Sequence, residues 1–76
     1  MNIEARLRQL ESHHRAAWSA TVVAKANYLA LAGDPSTLPA AVRRAKVRWQ
    51  QLDSRRQTIV AEMVELEELE HDLIAG

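Results

Sequence analysis

The chain has 76 residues, with ten basic and ten acidic side chains and no cysteine. A chain of this length forms one domain, here residues 1–76, and the absence of cysteine excludes disulfides and thiolate metal sites as sources of stability. The balanced charge argues against a general affinity for nucleic acid. No apolar run approaches the roughly 20 residues that cross a bilayer, and the N-terminus lacks the apolar segment of a signal peptide. We therefore expect a cytoplasmic protein without a membrane segment.

The first predicted element is a helix over about residues 3–32. Its apolar positions recur at alternating spacings of four and three, which is the pattern of a helix with one buried stripe. Asn2 is suited to cap the first turn, and Glu4 lies at the positive end of the helix dipole. The stripe consists of Ile3, Leu7, Leu10, His14, Ala17, Thr21, Ala24, Tyr28 and Leu31.

A loop over residues 33–38 follows. Gly33 suits a left-handed residue after the helix, and Pro35 and Pro39 prevent the helix from continuing. Ser36 and Thr37 are the candidate caps of the next helix. The chain is therefore predicted to fold back on itself.

The second helix is predicted over about residues 39–74, longer than the first helix can cover, so that residues after about Glu68 overhang the hairpin. Its stripe consists of Leu38, Val42, Ala45, Trp49, Leu52, Arg56, Ile59, Met63, Leu66, Glu70 and Leu73.

Antiparallel pairing gives the two stripes a single register. The residue numbers of facing positions sum to 69 or 70 throughout, from Leu31 with Leu38 to Ile3 with Leu66. Trp49 meets the small Thr21 in this register, as close packing requires. One layer is polar, His14 with Arg56, and we expect it to specify this pairing.

The predicted fold is thus all-α, an antiparallel two-helix hairpin that dimerises into a four-helix bundle. A lone hairpin of this size is marginally stable, because each helix has only one neighbour on which to bury its stripe. Large apolar residues outside the stripes form the predicted intermolecular interface: Trp18, Val22, Leu29, Val60, Val64, Leu69 and Ile74.

Charge along the second helix favours an antiparallel homodimer. Residues 38–57 contain six basic residues and one acidic residue, a net charge of +5, whereas residues 58–76 contain six acidic residues and no basic one, a net charge of −6. Two such helices packed antiparallel place unlike charges together twice. The alternative is that both charged runs are simply solvated.

Residues with catalytic potential are few. Glu11 with His14 and Glu68 with His71 have the Glu-x-x-His spacing of di-iron bundles, but the two pairs lie roughly 20 Å apart at about 1.5 Å per residue. No nucleophile constellation or phosphate-binding loop occurs. We therefore predict no catalytic residue, metal, cofactor or small-molecule substrate, and a protein that is not an enzyme.

The predicted function is a protein–protein interaction module: a scaffold, adaptor or small chaperone that self-associates, or offers an apolar helical face to an amphipathic helix of another protein. In size and plan the hairpin with its Leu-rich seam is similar to the small co-chaperones of type III secretion systems, which implies a role in holding an aggregation-prone subunit.

The alternative function is nucleic-acid binding. In layout the chain resembles the dimeric plasmid copy-number regulators of the Rop type, which implies binding to paired RNA loops. The basic half of the second helix would supply the surface. Its candidate residues are Arg43, Arg44, Lys46, Arg48 and Arg55.

Overall fold

The computed structural model describes residues 2–75 as two helices joined by one short connection. Helix α1 spans Ile3–Ala32 and helix α2 spans Pro39–Ala75. The helices lie antiparallel in a rod of 60 × 16 × 15 Å, and no strand occurs within residues 2–75. The predicted all-α helical hairpin is confirmed.

The start of α1 is capped as predicted. Asn2 has an extended backbone, and its side-chain oxygen accepts a hydrogen bond from the Ala5 N–H at 3.1 Å. Its carbonyl accepts from the Arg6 N–H, also at 3.1 Å. The cap satisfies one of the amides that the first helical turn leaves without a partner.

The end of α1 differs from the prediction at Gly33. Its backbone angles are φ −81° and ψ −8°, so the residue is right-handed, and the predicted left-handed conformation is wrong. Its N–H donates to the carbonyl of Leu29 at 3.0 Å, and the Asp34 N–H donates to that of Leu31 at 3.2 Å. This second bond spans three residues, so the helix ends by tightening its last turn, which needs no left-handed residue.

The connection is organised by Asp34, and this changes the cap of α2. The Ser36 hydroxyl and N–H donate to Asp34 Oδ1 at 2.7 and 2.9 Å, and the Thr37 N–H donates to the Asp34 carbonyl at 3.1 Å. The Leu38 carbonyl accepts from the Val42 N–H at 3.2 Å, which makes Leu38 the residue that precedes the first turn. The predicted caps Ser36 and Thr37 are therefore wrong, since Ser36 bonds to Asp34 instead.

The core follows the two predicted stripes. Leu10 is 2% exposed, and Thr21, Ala24 and Ala45 are also buried, while most other stripe residues are half-buried. The Thr21 hydroxyl donates to the Ala17 carbonyl at 2.8 Å, so this buried polar group is satisfied within its own helix. The core is one seam between two helices.

The seam is shorter than the stripe of α2. Leu38 is 72% exposed and does not close the seam against Leu31 as predicted, because it precedes the first turn of α2. Leu73 is exposed as well, because α2 continues past the start of α1. The predicted overhang of α2 is therefore present in the hairpin.

The two largest rings of the seam contact each other. The Tyr28 and Trp49 rings stack with centroids 5.7 Å apart and planes inclined by 15°, and Lys25 Nζ lies 5.5 Å from the Trp49 centroid. The predicted layers assigned Trp49 to Thr21 and Tyr28 to Val42, and did not include this contact. Aromatic side chains extend along a helix axis, so they reach beyond their own layer.

An ion pair supports the predicted register. Arg6 Nη2 lies 2.7 Å from Glu62 Oε1. These residues immediately precede Leu7 and Met63, which the register pairs, and they join a basic residue near the start of α1 to an acidic residue near the end of α2. Both side chains are partly exposed, so the pair contributes about 1 kcal/mol or less to stability.

Candidate interaction surfaces

The hairpin exposes more surface than a compact protein of its mass. A compact 8.6 kDa protein exposes about 4,700 Å², whereas the hairpin exposes 5,733 Å². The excess is thus about 1,000 Å², and a standard protein interface buries about 800 Å² on each partner. The surplus area is large enough for one such interface.

Two contacts show which residues of α1 and α2 outside the seam lie on the same side of the hairpin. Arg56 Nε donates to Asp53 Oδ1 at 3.0 Å, and Arg56 Cζ lies 5.4 Å from the Trp18 ring centroid. Trp18 and Asp53 therefore share one side. The Arg6–Glu62 ion pair marks the other side.

Residues seven apart lie on nearly the same side of a helix, because seven residues make almost two turns. Val60 and Ile74 therefore follow Asp53 on the side of Trp18, with Val64 one turn beyond Val60. Val22 and Leu29 lie next to this flank on α1. We call the resulting surface the tryptophan face: Trp18, Val22, Leu29, Val60, Val64 and Ile74.

Most of the tryptophan face is exposed in the hairpin. Trp18 is 52% and Val64 45% exposed, and Val22, Leu29 and Ile74 are exposed to similar or greater degrees. Val60 was predicted to lie outside the seam, but it is half-buried at the margin of the seam. Large apolar side chains collected on one side of a protein are typical of an interface.

The predicted polar layer is assembled, with partners that the sequence did not indicate. His14 and Arg56 are both half-buried and line one shallow depression together with Arg15 and Trp18. The Arg56 guanidinium bonds to Asp53 and lies over the Trp18 ring, so its charge is compensated within the hairpin. The polar layer thus borders the tryptophan face.

The opposite side combines several alanines with Val23 and Leu52, and sequence reasoning did not single it out. Two adjoining grooves share Ala20 and Leu52, and we call this surface the alanine face. Its signal in the sequence is a run of alanines at four-residue spacing, Ala16, Ala20 and Ala24. Of the predicted interface residues, Leu69 belongs to this side, because it follows Glu62 by seven residues.

Charge divides the hairpin into two halves. Residues 18–52, at the loop end, contain five basic residues and one acidic residue, a net charge of +4. The rest of the chain contains five basic and nine acidic residues, a net charge of −4. Among residues 2–75 the ion pairs are Arg6–Glu62, Arg56–Asp53 and the contact of His71 with Asp72. The two halves are therefore mostly uncompensated within one chain.

The predicted basic residues are all exposed, but they do not form one patch. Arg48 and Arg55 line the grooves of the alanine face, and Arg44 lies next to them on the helix. Lys46 precedes Asp53 by seven residues and lies on the side of the tryptophan face, with Arg43 one turn earlier. The helix directs the five side chains to two sides of the hairpin.

Within residues 2–75, no three His, Asp or Glu side chains are gathered in a group that could hold a metal ion. His14 lies in the seam and His71 lies on the overhang of α2, so the two Glu-x-x-His pairs are far apart. Over the same residues, neither helix is long and apolar enough to cross a membrane.

Comparison of the chain with protein-family models, with curated proteins and with solved structures gives no match. Its candidate function therefore rests on its own surfaces.

Proposed function

We propose that the hairpin is a protein–protein interaction module that acts as a homodimer, with two copies forming a four-helix bundle. The observation that carries this proposal is the excess of about 1,000 Å² of surface, together with the collection of large apolar side chains on the tryptophan face. An interface of standard size would cover this area.

The thin core supports the same proposal. Leu10, Ala24 and Ala45 are the buried apolar residues of the seam, and two of these three are alanines. Small helical proteins without disulfides or metals usually gain the rest of their stability by association. A second hairpin would supply each helix with a second neighbour, as in other four-helix bundles.

Sedimentation equilibrium with circular dichroism tests the proposal. We expect a helical dimer at micromolar concentration that dissociates on dilution, with loss of helix as the monomer forms. A helical, monodisperse monomer at the highest concentrations would contradict self-association. The tryptophan face would then be a surface for an amphipathic helix of a different protein, as in an adaptor or small chaperone.

One observation favours nucleic-acid binding as the alternative function. Arg44, Arg48 and Arg55 lie along one side of α2, and no acidic side chain lines the two grooves of the alanine face. Binding of a structured RNA and a DNA duplex, measured at two salt concentrations, tests this alternative. Phosphate recognition predicts binding that weakens steeply with salt, and no binding at low salt would refute it.

A further inference from the structure

We propose that the partner seated on the tryptophan face is a second copy in antiparallel orientation, with the two loops at opposite ends of the bundle and Glu67 of each copy beside Arg43 and Lys46 of the other. This arrangement rests on the proposed homodimer and specifies its surface, its topology and its charge pairs.

The choice of face follows from side-chain size. The tryptophan face presents an indole ring that is 52% exposed, together with exposed valine, leucine and isoleucine side chains. The alanine face exposes fewer large apolar side chains, Val23 at 69% and Leu69 at 43%, and its grooves contain no aromatic ring, so covering it removes less apolar area from water. Covering the tryptophan face therefore contributes more to association.

The orientation follows from charge. Each hairpin has a loop half of +4 and an open half of −4. A twofold axis along the rod would place like halves together, +4 against +4 and −4 against −4. A twofold axis across the rod places unlike halves together twice, and it lays α1 on α1 and α2 on α2 of the partner. Charge complementarity selects the second arrangement.

The overhang of α2 supports the antiparallel arrangement independently. The end of α2 beyond Glu70, which still lies beside Glu4 and Leu7, extends past the start of α1, and Leu73 and Ile74 are among the most exposed apolar side chains described. When the two α2 helices overlap fully, this segment lies beside the loop half of the partner. Val22 and Leu29 are exposed there, so two uncovered apolar regions meet.

The same full overlap determines the charge pairs. Superposing the centres of two antiparallel α2 helices brings Glu67 of one level with Val47 of the other, one residue from Lys46 and four residues, or about 6 Å along the axis, from Arg43. Arg43, Lys46 and Glu67 are exposed and lie on the side of the tryptophan face. None of these three residues takes part in the ion pairs described above. The dimer therefore gives each of them a partner of opposite sign.

A charge-reversal pair of variants tests this arrangement. One variant is Arg43→Glu with Lys46→Glu, and the other is Glu67→Lys. Each variant alone places like charges together at two symmetric sites, so we expect its dissociation constant to rise about tenfold or more. The mixture restores opposite charges at both sites, so we expect a heterodimer with the affinity of the unaltered dimer, measured by sedimentation of differently labelled chains.

A matched control reverses the same number of charges on the other side of α2. Arg44→Glu with Arg48→Glu changes the net charge equally, and we expect its dissociation constant to stay within about threefold of that of the unaltered chain. If this control weakens the dimer as much as Arg43→Glu with Lys46→Glu does, the interface is on the alanine face and the inference is wrong.

Cross-linking tests the topology, because the chain has no cysteine of its own. We expect a short bismaleimide to join a Leu38→Cys chain to an Ile74→Cys chain, since full overlap of antiparallel copies brings Ile74 within two residues of the level of Leu38. Cross-links between two Leu38→Cys chains would instead place both loops at one end and overturn the orientation. An unaltered chain that stays monomeric overturns the homodimer itself. A dimer whose dissociation constant is unchanged by the charge reversals overturns only this arrangement.

Discussion

Val64→Asp is the substitution that most directly separates the dimer from the hairpin. Val64 is 45% exposed and lies on the tryptophan face, so its side chain is available to a partner while the seam does not depend on it. Complete burial of a valine contributes about 1.5–3 kcal/mol, so burial of its exposed part contributes about 1 kcal/mol. An aspartate buried there without a partner adds a cost of about 1–3 kcal/mol.

Because the dimer has a twofold axis, the lost burial of valine and the cost of the buried aspartate each count twice. We expect Val64→Asp to weaken dimerisation by about 4–8 kcal/mol, which raises the dissociation constant about a thousandfold or more. Sedimentation equilibrium measures the dissociation constant, and circular dichroism at concentrations where the variant still dimerises checks that its helices form.

Val47→Asp is the matched control for this experiment. Val47 is also a valine of α2 and is 50% exposed, but it lies midway between the seam residues Ala45 and Trp49 and so points away from the seam. A surface substitution of this kind changes stability by about 0.5 kcal/mol or less. If Val64→Asp dimerises as tightly as Val47→Asp, the tryptophan face is not the interface and the reasoning is refuted.

Three further predictions concern the hairpin itself. Leu10→Ala removes a side chain that is 2% exposed and should cost about 2–5 kcal/mol in denaturant unfolding, whereas Leu38→Ala, at 72% exposure, should cost less than about 1 kcal/mol; equal costs would contradict the seam. Gly33→Ala should change the free energy of unfolding by less than about 1 kcal/mol, because φ is −81° and the added Cβ meets only the Leu29 carbonyl closely, at 3.3 Å; a loss of about 2 kcal/mol would indicate a left-handed residue. Hydrogen bonds from the Ser36 hydroxyl and N–H lower the pKa of Asp34 below 3.8, so the stability that they confer is present above pH 3.8 and is lost as the pH falls through the lowered pKa. Ser36→Ala should raise the pKa of Asp34 in an NMR titration, and an unchanged pKa would refute the hydroxyl bond.

The helical hairpin, and the side of each helix that lies in the seam, could be predicted from the sequence. The four-three spacing determined which side of each helix is covered, and the short loop determined the register, which the Arg6–Glu62 contact supports. Asn2 could be identified as a cap because its side chain has one dominant use at that position. These features depend on local geometry and on periodicity.

The errors arose where two local arrangements compete. Glycine adopts left- and right-handed backbones about equally well, so Gly33 could not be assigned from its residue type alone. Ser36 has the chemistry of a cap, but the Asp34 carboxylate is nearer to it in the folded loop. The stack of Tyr28 on Trp49 depends on how far each ring extends along the seam, and pairing the residues by layer does not take this length into account.

The two faces of the hairpin were predicted only in part. Six of the seven predicted interface residues lie on the tryptophan face, but Leu69 lies on the other side. A contact between the helices is needed to determine which side of α1 lies beside which side of α2, and the Arg56 side chain over the Trp18 ring is such a contact. The sequence did not indicate the alanine face, because alanine is also a common residue of ordinary helices.

The mass of the unaltered chain in solution tests the central claim most directly. Sedimentation equilibrium over a hundredfold range of concentration at low and high salt should give a mass that rises to twice the chain mass of 8.6 kDa as the concentration increases, with the dimer weaker at high salt because unlike charges face each other. A mass of 8.6 kDa at every concentration, with the helices intact, would contradict the proposal that this hairpin is completed by a second copy.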